Sequence, residues 1–415
     1  MEQIQVLFLD ALKAALKNEK VTWENGMEPG EWMALFNLAE AHHVLPMIYE
    51  AVYDCPAAQN IAPQFFSPYK RRTVQAVTLQ TIKTSEFLKL MRKLREAGIK
   101  PLVVKGIICR NLYHQPDHRM SSDEDILILP EQFPVCHRIM AEDGMYLLEP
   151  KQDIYNAYEV PYRKKNSPLY IELHKSLFPP ESDAYGEFNQ FFEGAFDRAV
   201  EENIQNDNVW TMGYTDHLFY LICHAFKHFL HSGFGIRQVC DIILFANRYG
   251  SEIDWKLVRR QCREIHAELF TAALFRIGQK YLTFDPEEAC CPEEWRSIQV
   301  DETLMLEDLL YGGIYGGAEM SRKHSSSMTL NAVAANKQGK KKGIPVLKTL
   351  FPSARNLEQN YPYLKKYPYL LPAAWIKRIL RYGKELGEVS DNSASEAVRI
   401  GNQRIKLLKE YGIIK

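Results

Sequence analysis

The residues best suited to chemistry are two aspartates, Asp123 and Asp125, at the start of an apolar run, 126–129. On a strand, side chains two residues apart share a face, so the two carboxylates lie about 7 Å apart on one side. Like charges this close repel unless a cation lies between them, and hard divalent ions such as Mg²⁺ prefer such oxygen pairs. Solvated turns also carry this spacing. A buried strand makes unused charge costly, however, which favours a divalent-metal site.

A second alternating segment, 169–174, offers Glu172 and His174 two residues apart, again on one face of a strand. If the two strands are neighbours, Glu172 becomes a third carboxylate at the same site. Three acids around one or two metal ions are what in-line phosphoryl or nucleotidyl transfer requires, because the metal activates the attacking oxygen and neutralises the leaving phosphate.

Lys105-Gly106 follows a predicted buried strand, 101–104, and precedes a short predicted helix, 107–113. Glycine lets a phosphate approach the backbone, a helix N-terminus attracts anions, and lysine supplies a point charge. The segment lacks the GxxxxGK[ST] pattern of a P-loop. The pattern therefore predicts a different kind of phosphate-binding turn.

Alternating strands and helices position these residues. The predicted elements are strand 101–104, helix 107–113, strand 126–129, helix 131–143 and strands 145–148 and 169–174, which together form an α/β module. Helical periodicity dominates on both sides, with a long helix predicted over 74–97 and further helices over 215–230, 239–248, 255–281 and 394–411. The expected regions are 1–98, helical; 99–182, the core; 183–318, helical; and 319–415, a basic loop with a helical tail.

Composition bounds the class of protein. The 415 residues suggest two or three cooperating units, and 51 Lys+Arg against 52 Asp+Glu exclude a global polycation that grips nucleic acid by charge alone. No run of about 18 apolar residues is present, so no membrane partner is expected, and the N-terminus is typical of an amphipathic helix rather than a signal peptide. Eight scattered cysteines without a CxxC pair predict a reduced, cytoplasmic protein.

Four histidines, at 217, 224, 228 and 231, fall on one stripe of a predicted helix. Three interpretations stay open: a zinc site, ordinary histidines partly buried between helices, and a His224 that faces the central cleft. Zinc is the weakest, because no cysteine or carboxylate stands in register with the histidines.

Two further features concern the C-terminal half. Arg237 and Asp241 are spaced as an i,i+4 ion pair on a helix. Residues 320–348 contain no acid and several lysines, including 340–342, which predicts a solvated basic loop. Nucleic-acid contact by this loop is possible but not favoured.

Taken in order along the chain, these motifs resemble a known family. The similarity covers Leu38-Ala39-Glu40, Val44-Leu45-Pro46, Val104-Lys105-Gly106, Leu112-Tyr113, Arg119-x3-Asp123-x-Asp125, Ile171-Glu172-Leu173-His174, His217-Leu218 to His224, Arg237, Asp241, Asp254-Trp255, Gly313 to Gly316 and Leu350-Phe351-Pro352. In this pattern the chain resembles the uncharacterised nucleotidyltransferase family of the polymerase-β-like superfamily.

The resemblance implies an α+β fold in which a small mixed-sheet nucleotidyltransferase core is flanked by N-terminal and C-terminal helical regions. It implies that Mg²⁺ (or Mn²⁺) binds to Asp123, Asp125 and Glu172, with Glu172 as a candidate base. The nucleotide-binding residues that it implies are Lys105, Gly106, Arg119, His174 and His224. Two residues depart from the superfamily pattern: Glu124 replaces an apolar residue, and Lys-Gly stands where Gly-Gly or Gly-Ser is usual.

The expected function is Mg²⁺-dependent transfer of NMP, with AMP from ATP as the expected case, to an acceptor with release of pyrophosphate. The acceptor is a small molecule, a protein or an RNA, and the sequence does not choose among them. The alternatives are a catalytically inactive nucleotide-binding or regulatory protein that retains the fold, which Glu124 keeps open, and a toxin-like transferase that modifies RNA or protein.

Overall fold

The computed structural model describes residues 1–231, 233–312, 320–337, 357, 361–377 and 394–414. Its helices are α1 (Gln3–Leu16), α2 (Pro29–Ala41), α3 (Leu45–Val52), α4 (Pro63–Glu96), α5 (Gly106–Arg110), α6 (Phe133–Glu142), α7 (Tyr214–His231), α8 (Ile236–Tyr249), α9 (Trp255–Glu264), α10 (Glu268–Tyr281), α11 (Glu293–Arg296), α12 (Thr303–Gly312), α13 (Met320–Lys337) and α14 (Ala394–Glu410). Short 3-10 helices lie at Pro56–Asn60, Pro116–His118, Pro130–Gln132, Gly186–Phe192, Gly250–Glu252, Pro362–Lys365 and Pro368–Leu370. Its strands are β1 (Leu102–Val103), β2 (Glu124–Leu127), β3 (Met145–Leu147), β4 (Glu159–Lys164), β5 (Tyr170–His174), β6 (Val200–Ile204) and β7 (Asp207–Thr211).

A mixed sheet of five strands lies at the centre, in the order β1-β2-β5-β4-β3. Strands β2 and β5 pair in parallel, whereas the other neighbours pair antiparallel. Helices precede and follow the strands of this sheet along the chain, so the predicted α+β class is confirmed.

The sheet differs from the sequence prediction in two places. Strand β2 begins at Glu124, two residues before the predicted run, which brings Asp125 into the strand and leaves Asp123 directly before it. Strand β4 was not predicted, because Pro161 lies in its middle and proline normally argues against an inner strand. Hydrogen bonding to β5 on one side and β3 on the other holds β4 in the sheet nevertheless.

A hairpin of β6 and β7 interrupts the region after 184 that was predicted to be helical throughout. Its turn residues Gln205 and Asn206 have φ of 51° and 69°, the left-handed geometry of a tight hairpin turn. The polar composition of β6, with two glutamates and an asparagine, hides the alternation that would identify it. The Thr211 hydroxyl donates to the carbonyl of Val103 at 2.6 Å, which anchors β7 to β1.

The N-terminal helices pack through aromatic rings. Helix α4 begins at Pro63, eleven residues before the predicted start at 74, although Pro68 lies within it. Phe66 stacks edge-on against Trp32 with ring centroids 5.2 Å apart, and Tyr69 stacks on Phe36 at 4.1 Å. This packing offsets the backbone hydrogen bond that Pro68 removes, so local propensity gives the wrong boundary.

Two C-terminal predictions were wrong. The helix predicted over 255–281 is two helices, α9 and α10, because His266 adopts a left-handed φ of 58° between them. The loop predicted over 320–348 is helical as α13 up to Lys337, since buried Met328 and Val333 pack it into the fold. Residues 338–348, with the lysines at 340–342, and the family-like segments 313–316 and 350–352 lie outside the described residues.

Helix α13 packs against both α14 and α7. The buried Thr329 hydroxyl of α13 donates to the carbonyl of Leu230 at 2.5 Å, and the buried Arg404 guanidinium of α14 donates to the carbonyl of Phe229. Both contacts hold the C-terminal end of α7 in place. Among the described helices, none combines the length and the apolar character needed to cross a membrane.

Replacing Gly250 with alanine is expected to destabilise the fold by about 1–3 kcal/mol through overpacking. A Cβ at this position would lie 2.0 Å from the backbone oxygen of Ala289, which cannot move aside as a flexible side chain could. Gly30→Ala in α2 is the matched control, because a Cβ there meets nothing within 4 Å. Urea unfolding measures both variants, and equal stabilities would contradict the packing argument.

Candidate active site

The parallel pairing of β2 with β5 brings the predicted acids together. Asp125 lies opposite Glu172 in the register, and Leu127 lies opposite His174. Asp125 is buried and Glu172 is half-buried, whereas Asp123, two residues before Asp125, is half-buried at the mouth of the strand. Strands β2 and β5 are therefore neighbours, which is the condition that the sequence left open.

Among the described residues, Asp125, Glu172 and His174 form a group whose potential ligand atoms all lie within 4.8 Å of one another. His174 Nε2 is 3.2 Å from Asp125 Oδ1 and 3.8 Å from Glu172 Oε2. Two carboxylates suit Mg²⁺ or Mn²⁺, and an imidazole is better tolerated by Mn²⁺. The donor set therefore fits a divalent cation. His174 takes the place within this group that the sequence gave to Asp123.

Lys105 Nζ lies in the same place, 2.8 Å from Asp125 Oδ2 and 3.2 Å from His224 Nε2. The sequence predicted that Lys105 contacts phosphates, whereas in this structure it is the counter-ion of a buried aspartate. The Lys105 ammonium thus lies between the Asp125 carboxylate and the His224 ring, where its charge offsets that of the buried aspartate.

The pKa values follow from this crowding. Burial opposes ionisation of Asp125, but the Lys105 ammonium and the hydrogen bond from His174 outweigh it and hold its pKa well below the usual range. Burial and the charges of Asp125 and Asp123 raise the pKa of Glu172 to about 8, and the Tyr170 hydroxyl donates to Glu172 at 3.0 Å. The raised pKa of Glu172 thus reflects like charges that are crowded together in a buried place.

Glu124 points to the opposite face from Asp125 and holds the turn that carries Lys105. Its carboxylate accepts the Ile107 N–H at 2.8 Å and pairs with the buried Arg110 guanidinium at 2.5 Å. Gly106 has φ of +45°, and a Cβ on it would lie 2.0 Å from Glu124 Oε2. The Lys-Gly pair thus accommodates Glu124, and the two departures from the superfamily pattern are complementary parts of one turn.

A second anchor comes from α7. His217 Nε2 is 2.7 Å from the carbonyl oxygen of Val104. Since a carbonyl oxygen only accepts hydrogen bonds, Nε2 is the donor. His217 Nδ1 is 3.0 Å from the Thr211 hydroxyl. Burial lowers the pKa of His217 to about 4, so the ring is neutral. This predicted histidine therefore fixes the backbone directly before Lys105.

The other histidines of α7 separate into two roles. His224 faces the site beside Lys105, and the His228 ring lies 4.6 Å from the His224 ring. His231 instead contacts the Tyr185 hydroxyl at 2.7 Å. Within the described part of the chain, no group of these histidines with the geometry of a metal site is found, so the zinc interpretation has no support there.

Arg119 lies away from the acids, in a buried ion pair with Asp241. Its Nε and Nη2 atoms are 3.0 and 2.5 Å from the two carboxylate oxygens, and the Tyr113 hydroxyl also donates to Asp241 at 2.8 Å. The predicted Arg237–Asp241 pair was therefore wrong, because other groups hold Asp241, and Arg237 donates to the carbonyl of Met120. Arg119 thus fixes α8 to the loop before β2.

Sequence reasoning missed three residues at the site. Glu159 Oε2 on β4 is 3.7 Å from His174 Nδ1, and Tyr170 donates to Glu172. Lys227 on α7 is close enough that its charge interacts with Glu159, Lys105, Asp125 and Glu172. The position of Lys227, three residues after His224, was the available signal, whereas Glu159 lies on a strand that Pro161 concealed.

A family model described as uncharacterised nucleotidyltransferase matches residues 28–283, well over half of the chain. The chain belongs to this family. The match runs from the start of α2 to the loop after α10 and includes every predicted site residue. No curated protein and no solved structure matches the chain significantly. The family resemblance predicted from the motifs is confirmed, and nucleotidyl transfer is the general chemistry that the family supports.

Replacing Glu124 with leucine is expected to destabilise the protein by about 3–5 kcal/mol, because Arg110 is then buried without its partner. Urea unfolding measures the change. The double variant Arg110→Met/Glu124→Leu is expected to recover most of the lost stability, since it also removes the buried guanidinium that has no partner in the single variant. A single variant as stable as the natural protein, or a double variant less stable than the single, would contradict this role of Glu124.

His217 is expected to make stability pH-dependent. The pKa of His217 is about 4 in the folded state against 6.5 ordinarily, so the unfolded chain binds more protons between these values. The contribution is complete above pH 6.5 and falls by about 2 kcal/mol on lowering the pH to 5. His217→Gln is expected to remove that part of the pH dependence in urea titrations. The exposed-residue control His114→Gln is expected to retain it, and parallel curves for all three proteins would refute the argument.

Proposed function

We propose that the chain is a metal-dependent nucleotidyltransferase that transfers NMP, with AMP from ATP as the expected case, to an acceptor. The observation that carries this proposal is the register of β2 and β5, which brings Asp125 opposite Glu172 beside the Lys105 turn. The family match supports the same chemistry. Because Glu124 has a structural role on the other face of β2, it no longer favours the non-catalytic alternative.

In the proposed reaction, an oxygen or nitrogen of the acceptor attacks the α-phosphorus in line with the leaving group. A bond to the α-phosphorus forms, the bond from that phosphorus to the bridging oxygen breaks, and pyrophosphate leaves with its electron pair. The acceptor gives up its proton to a base, for which Glu172 is our candidate. Mg²⁺ or Mn²⁺ held by Asp123, Asp125 and Glu172, with His174 beside them, would neutralise charge on the attacking and leaving oxygens.

The surrounding residues have supporting roles in this proposal. Lys105 is held at the site by Asp125 and is the residue of the turn that we expect to contact the nucleotide. His217 keeps the Lys105 backbone in position, and Arg119 fixes the loop before β2 through Asp241. The eight cysteines are free, which supports a reducing cytoplasmic location.

Thermal shift with each of the four NTPs, with and without Mg²⁺ or Mn²⁺, tests the proposal. ATP with metal at about 100 times its Kd is expected to stabilise the natural protein by about 2.7 kcal/mol. Asp125→Asn is expected to abolish this ligand-induced shift. In assays with mixtures of candidate acceptors, the same variant is expected to lower the rate of pyrophosphate release by roughly 10²–10³-fold.

The exposed Asp183 provides a matched control, since Asp183→Asn makes the same chemical change away from the site. Asp125→Asn also removes the partner of Lys105, so the comparison uses the shift on adding ligand rather than the absolute Tm. No shift with any NTP and either metal, with all proteins folded, would refute the proposal. Metal-dependent ATP binding without pyrophosphate release would favour the non-catalytic alternative.

A further inference from the structure

The strand–helix turn is poorly suited to hold phosphates in this chain. The Ile107 N–H at the start of α5 already donates to the Glu124 carboxylate at 2.8 Å. This buried carboxylate fills the space beside Gly106 that a Cβ would occupy, so the Ile107 N–H is not free to bind a phosphate. Helix α5 also has only five residues, so its N-terminus offers few N–H groups. Apart from Lys105, the groups that recognise the outer phosphates must therefore come from another element.

Helix α7 offers such groups along one face. His224, Lys227 and His228 are spaced i, i+3 and i+4, and all three are half-buried between fully buried neighbours. His224 Nε2 is 3.2 Å from Lys105 Nζ, and the His228 ring is 4.6 Å from the His224 ring. Because Lys105 contacts both His224 and Asp125, this face of α7 lies beside the acids.

The charges of this face are unbalanced. Lys105 is paired with Asp125, whereas Lys227 has no hydrogen bond or ion pair to any other described residue, although burial lowers its pKa. Helix α7 carries one acid, Asp216 in its first turn, and that carboxylate is paired with Arg198. The site therefore has carboxylates on the sheet side and nitrogen donors on the α7 side.

We propose that His224, Lys227 and His228 bind the β- and γ-phosphates of the nucleotide, while the sheet acids act at the α-phosphate. This inference rests on the proposed function and specifies where its substrate binds. Lys227 supplies a full positive charge, and neutral histidines donate N–H groups to phosphate oxygens. Because these contacts exist only for the outer phosphates, they select a triphosphate over a monophosphate and retain pyrophosphate after transfer.

Calorimetric titration of the full chain with ATP, AMP, pyrophosphate and tripolyphosphate, each with Mn²⁺, tests this assignment. Lys227→Met is expected to weaken ATP, pyrophosphate and tripolyphosphate binding by roughly 10- to 100-fold and to leave AMP binding unchanged. Lys227→Arg is expected to restore affinity to within a few-fold. Lys256→Met is the control, because Lys256 is an exposed lysine on α9.

Folding does not confound the experiment, because Lys227→Met removes a half-buried charge without a described partner and should not lower Tm. Equal affinity of the natural protein and Lys227→Met for ATP and pyrophosphate would overturn the inference while leaving the proposed function intact. Pyrophosphate that binds without displacing ATP would overturn it as well, since the α7 face would then serve another phosphate-bearing molecule. If the natural protein binds no NTP with metal, the proposed function itself fails.

Discussion

The contact between Lys105 and Asp125 is the interaction on which the site depends. Parallel pairing of β2 and β5 forces carboxylates into neighbouring positions of a buried sheet, where two ionised acids without a cation would destabilise the fold. The Lys105 ammonium supplies the missing charge at 2.8 Å. The fold therefore tolerates buried acids that are suited to a divalent metal ion. The Lys105 ammonium balances their charge without such an ion.

The alternation of side chains along β2 separates support from chemistry. Asp125 faces Lys105 and His174, whereas Glu124 faces the other way and holds the start of α5 through Ile107 and Arg110. One strand thus supplies both the acids and the carboxylate that shapes the turn opposite them. Because that carboxylate already accepts the Ile107 N–H, the recognition of the outer phosphates moves to α7 in our proposal.

Much of this arrangement could be predicted from the sequence. The types and spacing of Asp125, Glu172 and Lys105 predicted one shared site, since strand periodicity fixes which side chains share a face. Partners distant in sequence could not be predicted: local i,i+4 spacing assigned Asp241 to Arg237, but the fold gives it to Arg119.

The errors in the predicted fold had the same origin, because tertiary contacts outweighed the local sequence signals. Pro161 concealed an inner strand that hydrogen bonds on both sides hold in place. The polar residues of β6 concealed a hairpin, and serines and lysines concealed α13, which its buried Met328 packs into the fold. The strand–turn–helix at Lys105 had no such conflict, and its elements were predicted within a few residues.

The C-terminal end of α7 is anchored by residues that lie outside the family match. Thr329 and Arg404 hold the last carbonyls of α7, yet both lie beyond residue 283, where the family match ends. The sheet acids lie inside the matched segment. The C-terminal helices therefore bear on the position of α7, whereas the acids are held by the pairing of β2 with β5. Residues outside the family match thus set the position of a helix inside it, while the sheet keeps its own pairing.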